Sequence, residues 1–325
     1  MVELDAIPWT EPKLSVVVVT YNNLDDTRRC VRSLLQLTGP RARIIVVDNG
    51  SEDREDDALG TEFGTAISTL RVPENRGYAA GANVGIRAAL GQGAGYVWLL
   101  NNDTVVRENA LAHLVAPLFE RSDLGLVSPI ILGSEMVDWS EGIWYAGGHL
   151  DLAHSSAQHV TEMGESISIP LLPTDFVTGC AMLVRREVFE SIGFLDESFY
   201  LFWEDVDFSL RACRRGWRIA VVAAPDVHHK VHGTIGRGTY RFLNERNGRT
   251  VAGRYANSRQ ILTLLKFTLR STRQLLRIAL RGNADARDTL RGYCAGSARM
   301  FLALARRALQ GDFGWRQARP TSEEP

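Results

Sequence analysis

KLSVVVVTYNN, residues 13–23, sets four consecutive valines ahead of a polar exit. A strand with one wet face alternates apolar and polar residues, whereas an unbroken β-branched run is what a strand covered on both faces requires. Its polar end leads to a helix expected over about 25–37, where Val31, Leu34 and Leu35 give helical apolar spacing and Arg28, Arg29 and Arg32 face solvent. The pattern then repeats. ARIIVVDNGSED (42–53) runs apolar from Ile44 to Val47 and leaves Asp48, Asn49, Ser51 and Asp53 at its exit. A short strand around STLRVPEN (68–75) enters RGYAAGANVGIRAAL (76–90), and YVWLL (96–100) ends on Asn101, Asn102 and Asp103. Strands separated by helices through tight connections predict an α/β fold, a mainly parallel central sheet flanked by helices. Ligands on such sheets bind beyond the carboxyl ends of the strands, so TYNN, DNGSED and NND are expected to be neighbours in space.

The 325 residues, 45% hydrophobic and 23% charged, fit a globular protein with a substantial core, one large domain or one domain with an appendage. The net charge of -1 hides an asymmetry: residues 1–240 hold 20 Lys+Arg against 32 Asp+Glu, and residues 241–325 hold 17 against 6. Cys30, Cys180, Cys213 and Cys294 form no CxxC pair, which speaks against a zinc cluster or a disulfide framework and for a reducing cytoplasm. MVELDAIPWTEPK carries acids where a signal peptide needs basic residues, and no run reaches the roughly 18 apolar residues of a membrane span, so the chain is not expected to cross a membrane.

Each strand-end cluster has two readings. Asp48 can accept a hydrogen bond from a ring N–H while Asn49–Ser51 offer backbone to a ribose or phosphate, or the same residues form an Asx-turn that ends the strand. Gly77, Gly81 and Gly85 allow close backbone approach to a ligand. Their spacing matches no dinucleotide fingerprint, and no GK[ST] follows to make a P-loop, which argues against a dehydrogenase or P-loop kinase. Asp103 is either a hard oxygen ligand for Mg²⁺ or Mn²⁺ or the N-cap of a helix over 107–119.

The second half is denser. CAMLVRREVFESIG (180–193) reads as a strand entering a helix stopped by Gly193. WEDVDFSLRACRRGW (203–217) puts Glu204, Asp205 and Asp207 in the first turn of another helix, where acids also serve as plain caps. Flanked by Phe199, Tyr200, Phe202 and Trp203, they make an aromatic-walled acidic site suited to holding a sugar and deprotonating its hydroxyl. His228, His229 and His232 follow the strand RIAVVAAP (218–225), which is expected near Asp103.

As an ordered series over about residues 13–250, VVVVTYNN, VVDNGSED, ENRGYAAGANVGI, WLLNNDTVV, TGCAMLVRREVFESIGFLDESFYLFWEDVDFSLRACRRGWRI and HHKVHG resemble glycosyltransferase family 2, in particular its rhamnosyltransferase-like members. The resemblance implies a Rossmann-like GT-A fold over 1–250, with a nucleotide-sugar half at about 13–120 and an acceptor and catalytic half at about 121–250. It implies a nucleotide-diphosphate sugar donor, a divalent Mg²⁺ or Mn²⁺, and inversion by single displacement. Carried over by position, Thr20, Tyr21, Asn22, Asp48, Asn49 and Ser51 would line the nucleoside pocket, with Asp53 nearby. Arg76 and Gly77 would lie at the diphosphate or donor sugar, and Asn102 and Asp103 at the metal-diphosphate. Asp205 would be the general base with Glu204 as the alternative, Gly179, Trp203 and Asp207 would face the acceptor, and His229 would close the metal site. Where the family motif often has two acids, this chain reads Asn101-Asn102-Asp103, so Asp103 alone supplies charge to the metal.

Residues 251–325 read as a basic amphipathic helical extension. Over 258–281, Lys266, Arg270, Arg273, Arg277 and Arg281 form a cationic stripe beside Ile261, Leu265, Leu269, Leu276 and Leu280, and a second helix is expected over 285–310. Such a helix suits contact with an anionic membrane surface at the inner face of the cell membrane; the alternative is packing on the catalytic domain or on another subunit of a homo-oligomer. The acidic body and the absence of a nucleic-acid module argue against nucleic acid. The activity expected is transfer of a sugar, L-rhamnose from dTDP-rhamnose, onto a glycan or polyprenyl-diphosphate-linked acceptor of a bacterial surface polysaccharide. The alternatives are a UDP-hexose or UDP-galactofuranose donor, and a catalytically inactive nucleotide-sugar-binding scaffold.

Overall fold

The computed structural model describes residues 13–133, 142–163, 170–230, 236–280 and 284–310. β1 (Leu14–Thr20) is buried along its whole length. Val16 and Val18 point into one core, and Val17 and Val19 into the other, which is the two-residue period of a strand covered on both faces. β2 (Ala42–Asp48) pairs parallel on one side with Thr20 opposite Asp48, and β4 (Tyr96–Asn101) on the other with Val19 opposite Asn101. Beyond β2 lies β3 (Ser68–Arg71), also parallel. These registers bring the three polar strand ends to one level, as the sequence pattern requires.

The crossovers are α1 (Leu24–Leu34), α2 (Glu55–Phe63) and α3 (Tyr78–Gly91). The small residues of α3 seat it directly on β1: a Cβ on Gly85 would meet Val17 Cγ1 at 2.3 Å, and one on Gly81 would meet Val19 Cγ1 at 2.9 Å. The close approach at these two glycines is therefore of helix to sheet.

The second half adds β5 (Thr104–Val106), α4 (Ala110–Glu120), β6 (Leu124–Gly133), β7 (Ile143–Tyr145), the hairpin β8 (Gly148–Asp151) and β9 (Ser156–His159), and β10 (Leu171–Leu172). Then follow β11 (Ala181–Arg185), α5 (Arg186–Ile192) ending at Gly193, α6 (Glu204–Arg214) and β12 (Arg218–His229). The main sheet runs β10-β12-β6-β11-β4-β1-β2-β3. Its first-half strands are all parallel; in the second half β6 and β12 are parallel, whereas β11 runs antiparallel to both β4 and β6, and β5 and β10 run antiparallel to β12. Pairing of β5 with β12 sets His229 opposite Thr104, so the strand entering the histidines does end beside Asp103.

α7 (Arg237–Tyr255) crosses the division expected at residue 250, and α8 (Ser258–Leu280) and α9 (Ala284–Gln310) match the two expected tail helices. α9 lies against α7 through glycines: a Cβ on Gly292 would sit 2.4 Å from the Phe242 carbonyl oxygen, and one on Gly296 2.7 Å from that of Glu245. Arg249 of α7 is buried between them, donating to Thr268 Oγ1 at 3.0 Å and stacking on the Tyr293 ring. Among the described residues no helix is long and apolar enough to cross a membrane.

Candidate active site

The tip of the sheet is a fixed hydrogen-bond lattice. Thr20 Oγ1 donates to the Glu55 carboxylate and lies 2.8 Å from Thr27 Oγ1, and Asn102 Nδ2 donates to Thr27 Oγ1 at 2.9 Å. Asn49 N–H donates to the Thr20 carbonyl at 2.9 Å, tying β1 to β2, while Asn49 Nδ2 reaches Asn75 Oδ1 (3.2 Å) and the Gly77 carbonyl (3.1 Å). Asn22, in the left-handed region at φ 50°, donates its N–H to Ser51 Oγ at 2.9 Å.

Asp48 is fully buried beneath this layer. It accepts from Ser51 N–H at 2.8 Å and pairs with the Arg71 guanidinium, a partner the sequence reading did not name. Asp48 and Ser51 thus form the turn that holds the loop, and neither lines the cavity above it. Asp53 is exposed, and Arg76 is exposed and 3.5 Å from Glu197; both lie outside that cavity. Gly77 does line it, but with φ 91° its tight approach is to the protein's own backbone, since a Cβ there would lie 2.3 Å from the Tyr200 carbonyl oxygen.

The cavity, about 930 Å³, opens between the strand tips and α7. Thr20, Tyr21, Asn22, Asn49, Asn102 and Asp103 line it from the strand tips, and Gly179, Trp203, Glu204, Asp205 and His229 line it as well. Asp207, expected at the acceptor, does not reach it. That carboxylate is fully buried and takes Arg211 Nε, Arg254 Nη1 and Tyr255 OH, each at 2.8 Å, which makes it the fastener between α6 and α7.

Glu204 and Asp205 have no such cations among the described residues. Asp205 accepts from the Gly179 N–H at 2.9 Å and from Val206 N–H at 2.8 Å; burial raises its proton affinity, and those two bonds only partly offset the rise. Glu204 is 5% exposed, its Oε2 has no hydrogen-bond partner among the described residues, and burial followed by the charge of Asp205 pushes its carboxyl well above the ordinary glutamate range. Strongly perturbed acids in a cleft mark chemistry more than architecture. The approach to them is strained: Tyr200, Phe202 and Trp203 have φ of 69°, 68° and 72°. Each such residue costs about 1–3 kcal/mol and persists only where its surroundings fix it.

Asp103 Oδ1 is buried and, among the described residues, its partner is His229 Nε2 at 3.2 Å. Two adjacent ligands on an octahedral ion with bonds of about 2.1 Å are about 3 Å apart, so the pair fits a divalent cation as two of its ligands. Among the described residues no group of three His, Cys, Asp or Glu could hold a metal ion, and Cys180, which lies against His229, is a thiol whose pKa burial pushes up. His232 lies outside the described residues.

Several lining residues carried no readable sign in the sequence. Trp144 on β7 packs its ring against His229 (4.5 Å between centroids) and His159 (4.4 Å), and burial holds His159 down to about 4, so it is an uncharged ring. Tyr78 donates to the Gly179 carbonyl at 3.1 Å, and Tyr240 and Asn244 come from α7. The WY pair at 144–145 was the one local hint, an aromatic couple in glycine-rich surroundings.

The fold is a mixed α/β sheet with a cavity at its strand tips that an acid pair also lines. Residues 15–193 match the glycosyl transferase family 2 model, more than half of the chain, and the protein belongs to that family. It is 26% identical over 307 residues to an N-acetylglucosaminyl-diphospho-decaprenol L-rhamnosyltransferase of Mycobacterium tuberculosis, covering 86% of this chain and 94% of that one. It is 27% identical to a low-salt glycan biosynthesis hexosyltransferase of Haloferax volcanii, over 66% of each chain. In fold it is similar to GalNAc-T7 solved with UDP, GalNAc and Mn²⁺ (TM-score 0.62, 18% identity, 93% of this chain and 58% of that one). It is also similar to residues 1–349 of Staphylococcus aureus TarS (TM-score 0.51, 16% identity, 96% and 98%). The family match stops before α6, so the acid pair and His229 rest on geometry.

Proposed function

We propose that this transferase moves a sugar, L-rhamnose from dTDP-rhamnose, with inversion onto a glycan or polyprenyl-diphosphate-linked acceptor of a bacterial surface polysaccharide. The observation that carries the reading is the Glu204–Asp205 pair, which has no cation partner among the described residues and lines one cavity with the Asn102–Asp103 strand tip. The choice of rhamnose and of a lipid-diphosphate acceptor is supported by similarity along nearly the whole length of the mycobacterial rhamnosyltransferase.

Glycosyl transfer from a nucleotide sugar builds positive charge at the anomeric carbon and negative charge on the departing diphosphate. Mg²⁺ or Mn²⁺ held by Asp103 and His229 would neutralise that leaving group. Thr20, Tyr21, Asn22 and Asn49 hold the nucleoside over the strand tips. Asp205, its carboxylate aimed by Gly179 N–H and Val206 N–H, takes the acceptor hydroxyl proton as the oxygen attacks from the face opposite the diphosphate. No enzyme nucleophile is needed. Glu204, the more deeply buried, keeps its proton and lines the wall beside the base.

A lipid-borne acceptor asks for a membrane-facing surface, and α8 suits one. It holds no acid, and it exposes Leu262, Leu269, Leu276 and Leu280 among Lys266, Arg270, Arg273 and Arg277. The reading therefore puts the enzyme at the inner face of the cell membrane.

The test is calorimetry of dTDP-rhamnose, UDP-glucose, UDP-galactose, UDP-galactofuranose and GDP-mannose with Mg²⁺, with Mn²⁺ and with chelator, followed by Asp205→Asn. Selective, metal-strengthened binding of dTDP-rhamnose and loss of turnover in the variant with donor affinity retained are expected. Selective binding of another donor replaces rhamnose, and a variant with unchanged turnover removes Asp205 as the base.

A further inference from the structure

No glycine, asparagine or proline occurs between residues 194 and 215 to favour the positive φ of Tyr200, Phe202 and Trp203. Local bonds close only the turn at Tyr200, whose N–H donates to the Glu197 carbonyl at 3.2 Å while Leu201 N–H donates to that of Phe199 at 2.9 Å. The rest of the conformation is imposed from outside the segment. The imposing element is α7. Nδ2 of Asn247, a side chain with no exposure, lies 3.0 Å from the Phe199 carbonyl oxygen, 2.9 Å from that of Leu201 and 2.8 Å from that of Phe202. Two N–H bonds are thus shared among three acceptors, while Asn247 Oδ1 takes Arg246 Nε at 2.8 Å and fixes which way the amide faces. One turn earlier on the helix, Asn244 Oδ1 accepts Trp203 Nε1 at 2.8 Å. From the opposite side the bare Cα of Gly77 abuts Tyr200. The segment that delivers Glu204 and Asp205 is clamped between the nucleotide side of the sheet and a helix of the C-terminal region.

We infer that Asn247 is a positioning residue for the acid pair: by gathering the carbonyls of Phe199, Leu201 and Phe202 it holds the strained turns that aim Glu204 and Asp205 into the cavity. The inference rests on the function proposed above. It gives α7 a part in the reaction. An asparagine serving only to hold the fold would lower stability and leave the folded enzyme's chemistry alone.

The experiment compares Asn247→Ala and Asn247→Asp with Arg249→Met. The aspartate is isosteric but replaces donors with acceptors; Arg249 lies two residues along α7, packs on α8 and α9 and does not touch the segment. Hydrogen exchange of the peptide spanning 199–207 is expected to speed up by about tenfold or more in both Asn247 variants, with β1 and β4 unchanged. For the donor the calorimetric panel selects, kcat should fall by about 10- to 100-fold with donor Kd within about twofold, since misplacing a catalytic group by an ångström costs that much. Arg249→Met should lower Tm while leaving segment exchange and kcat per folded molecule within about twofold. Equal kcat in the Asn247 and Arg249 variants, or an unchanged segment exchange, overturns the inference. If these Asn247 variants do not fold, Asn247→Ser, which keeps a donor but shortens the reach to the three carbonyls, carries the same two readouts. Should the wild type turn over no donor, the function reading fails by itself, and segment exchange still decides whether Asn247 holds the turns.

Discussion

The carboxylates at the tip of β2 and in the first turn of α6 lie at the same end of one sheet and have opposite surroundings. Asp48 is closed in by Ser51 N–H and the Arg71 guanidinium, and two residues past the acid pair Asp207 is closed in by Arg211, Arg254 and Tyr255. Glu204 is nearly as deeply placed and Asp205 less so, yet among the described residues only backbone N–H groups answer Asp205 and nothing answers Glu204 Oε2. A buried carboxylate with cations around it is a fastener; one without them is held at a raised proton affinity, which is what a base working near neutral pH requires.

The sharpest break of that contrast is Asp205→Asn, expected to lower kcat by about 10²- to 10⁴-fold while calorimetry shows donor affinity retained. The wild-type kcat/KM should rise with pH along an acid limb above the ordinary aspartate range, because burial raises Asp205 and only the unprotonated base works. Next comes Asp207→Ala, expected to lower stability by about 3 kcal/mol in denaturant unfolding, the low end for a broken buried pair because Arg211 and Arg254 keep some contact with water. Donor affinity of the folded fraction should not move.

Gly77→Ala tests the seam between the two regions. A Cβ there meets the Tyr200 carbonyl at a left-handed backbone position, so about 1–3 kcal/mol of strain should fall on the segment before the acid pair, read as a lowered kcat together with a lowered Tm. Glu204→Gln has the smallest effect, and its sign is diagnostic. The folded state holds the Glu204 proton more tightly than the unfolded chain, so the wild type loses stability as pH rises through the raised value. Glutamine does not titrate; the variant's Tm should exceed the wild type's at pH 8 by about 2 °C and match it at pH 5. A gap that shrinks with rising pH would mean that Glu204 is stabilised as the anion.

Much of this was legible in the chain because its signals are local. Four consecutive valines can sit only in a strand buried twice over, and polar residues that close three such strands must meet if the strands are parallel. That reasoning brought Asn22, Asn49, Asn102 and Asp103 together, and the resemblance added Asp205; all five line one cavity. It did not separate Asp205 from Asp207, which occur in one acidic turn and differ only in which side of α6 they occupy. Nor did it find Arg71 as the partner of Asp48, or Trp144 and Asn244, because no spacing rule links residues that distant strands and helices bring together.

By itself, then, the sequence determined the alternation of buried strands and helices, the level of their polar ends and the basic amphipathic tail, all properties of nearest neighbours along the chain. The tertiary structure alone decided which carboxylates are neutralised and which are left to react. It also decided that a helix beyond residue 236 bends the segment before Glu204 into turns its own residues disfavour. Charge pairing and backbone strain depend on distances through space, and those exist only once the chain has folded.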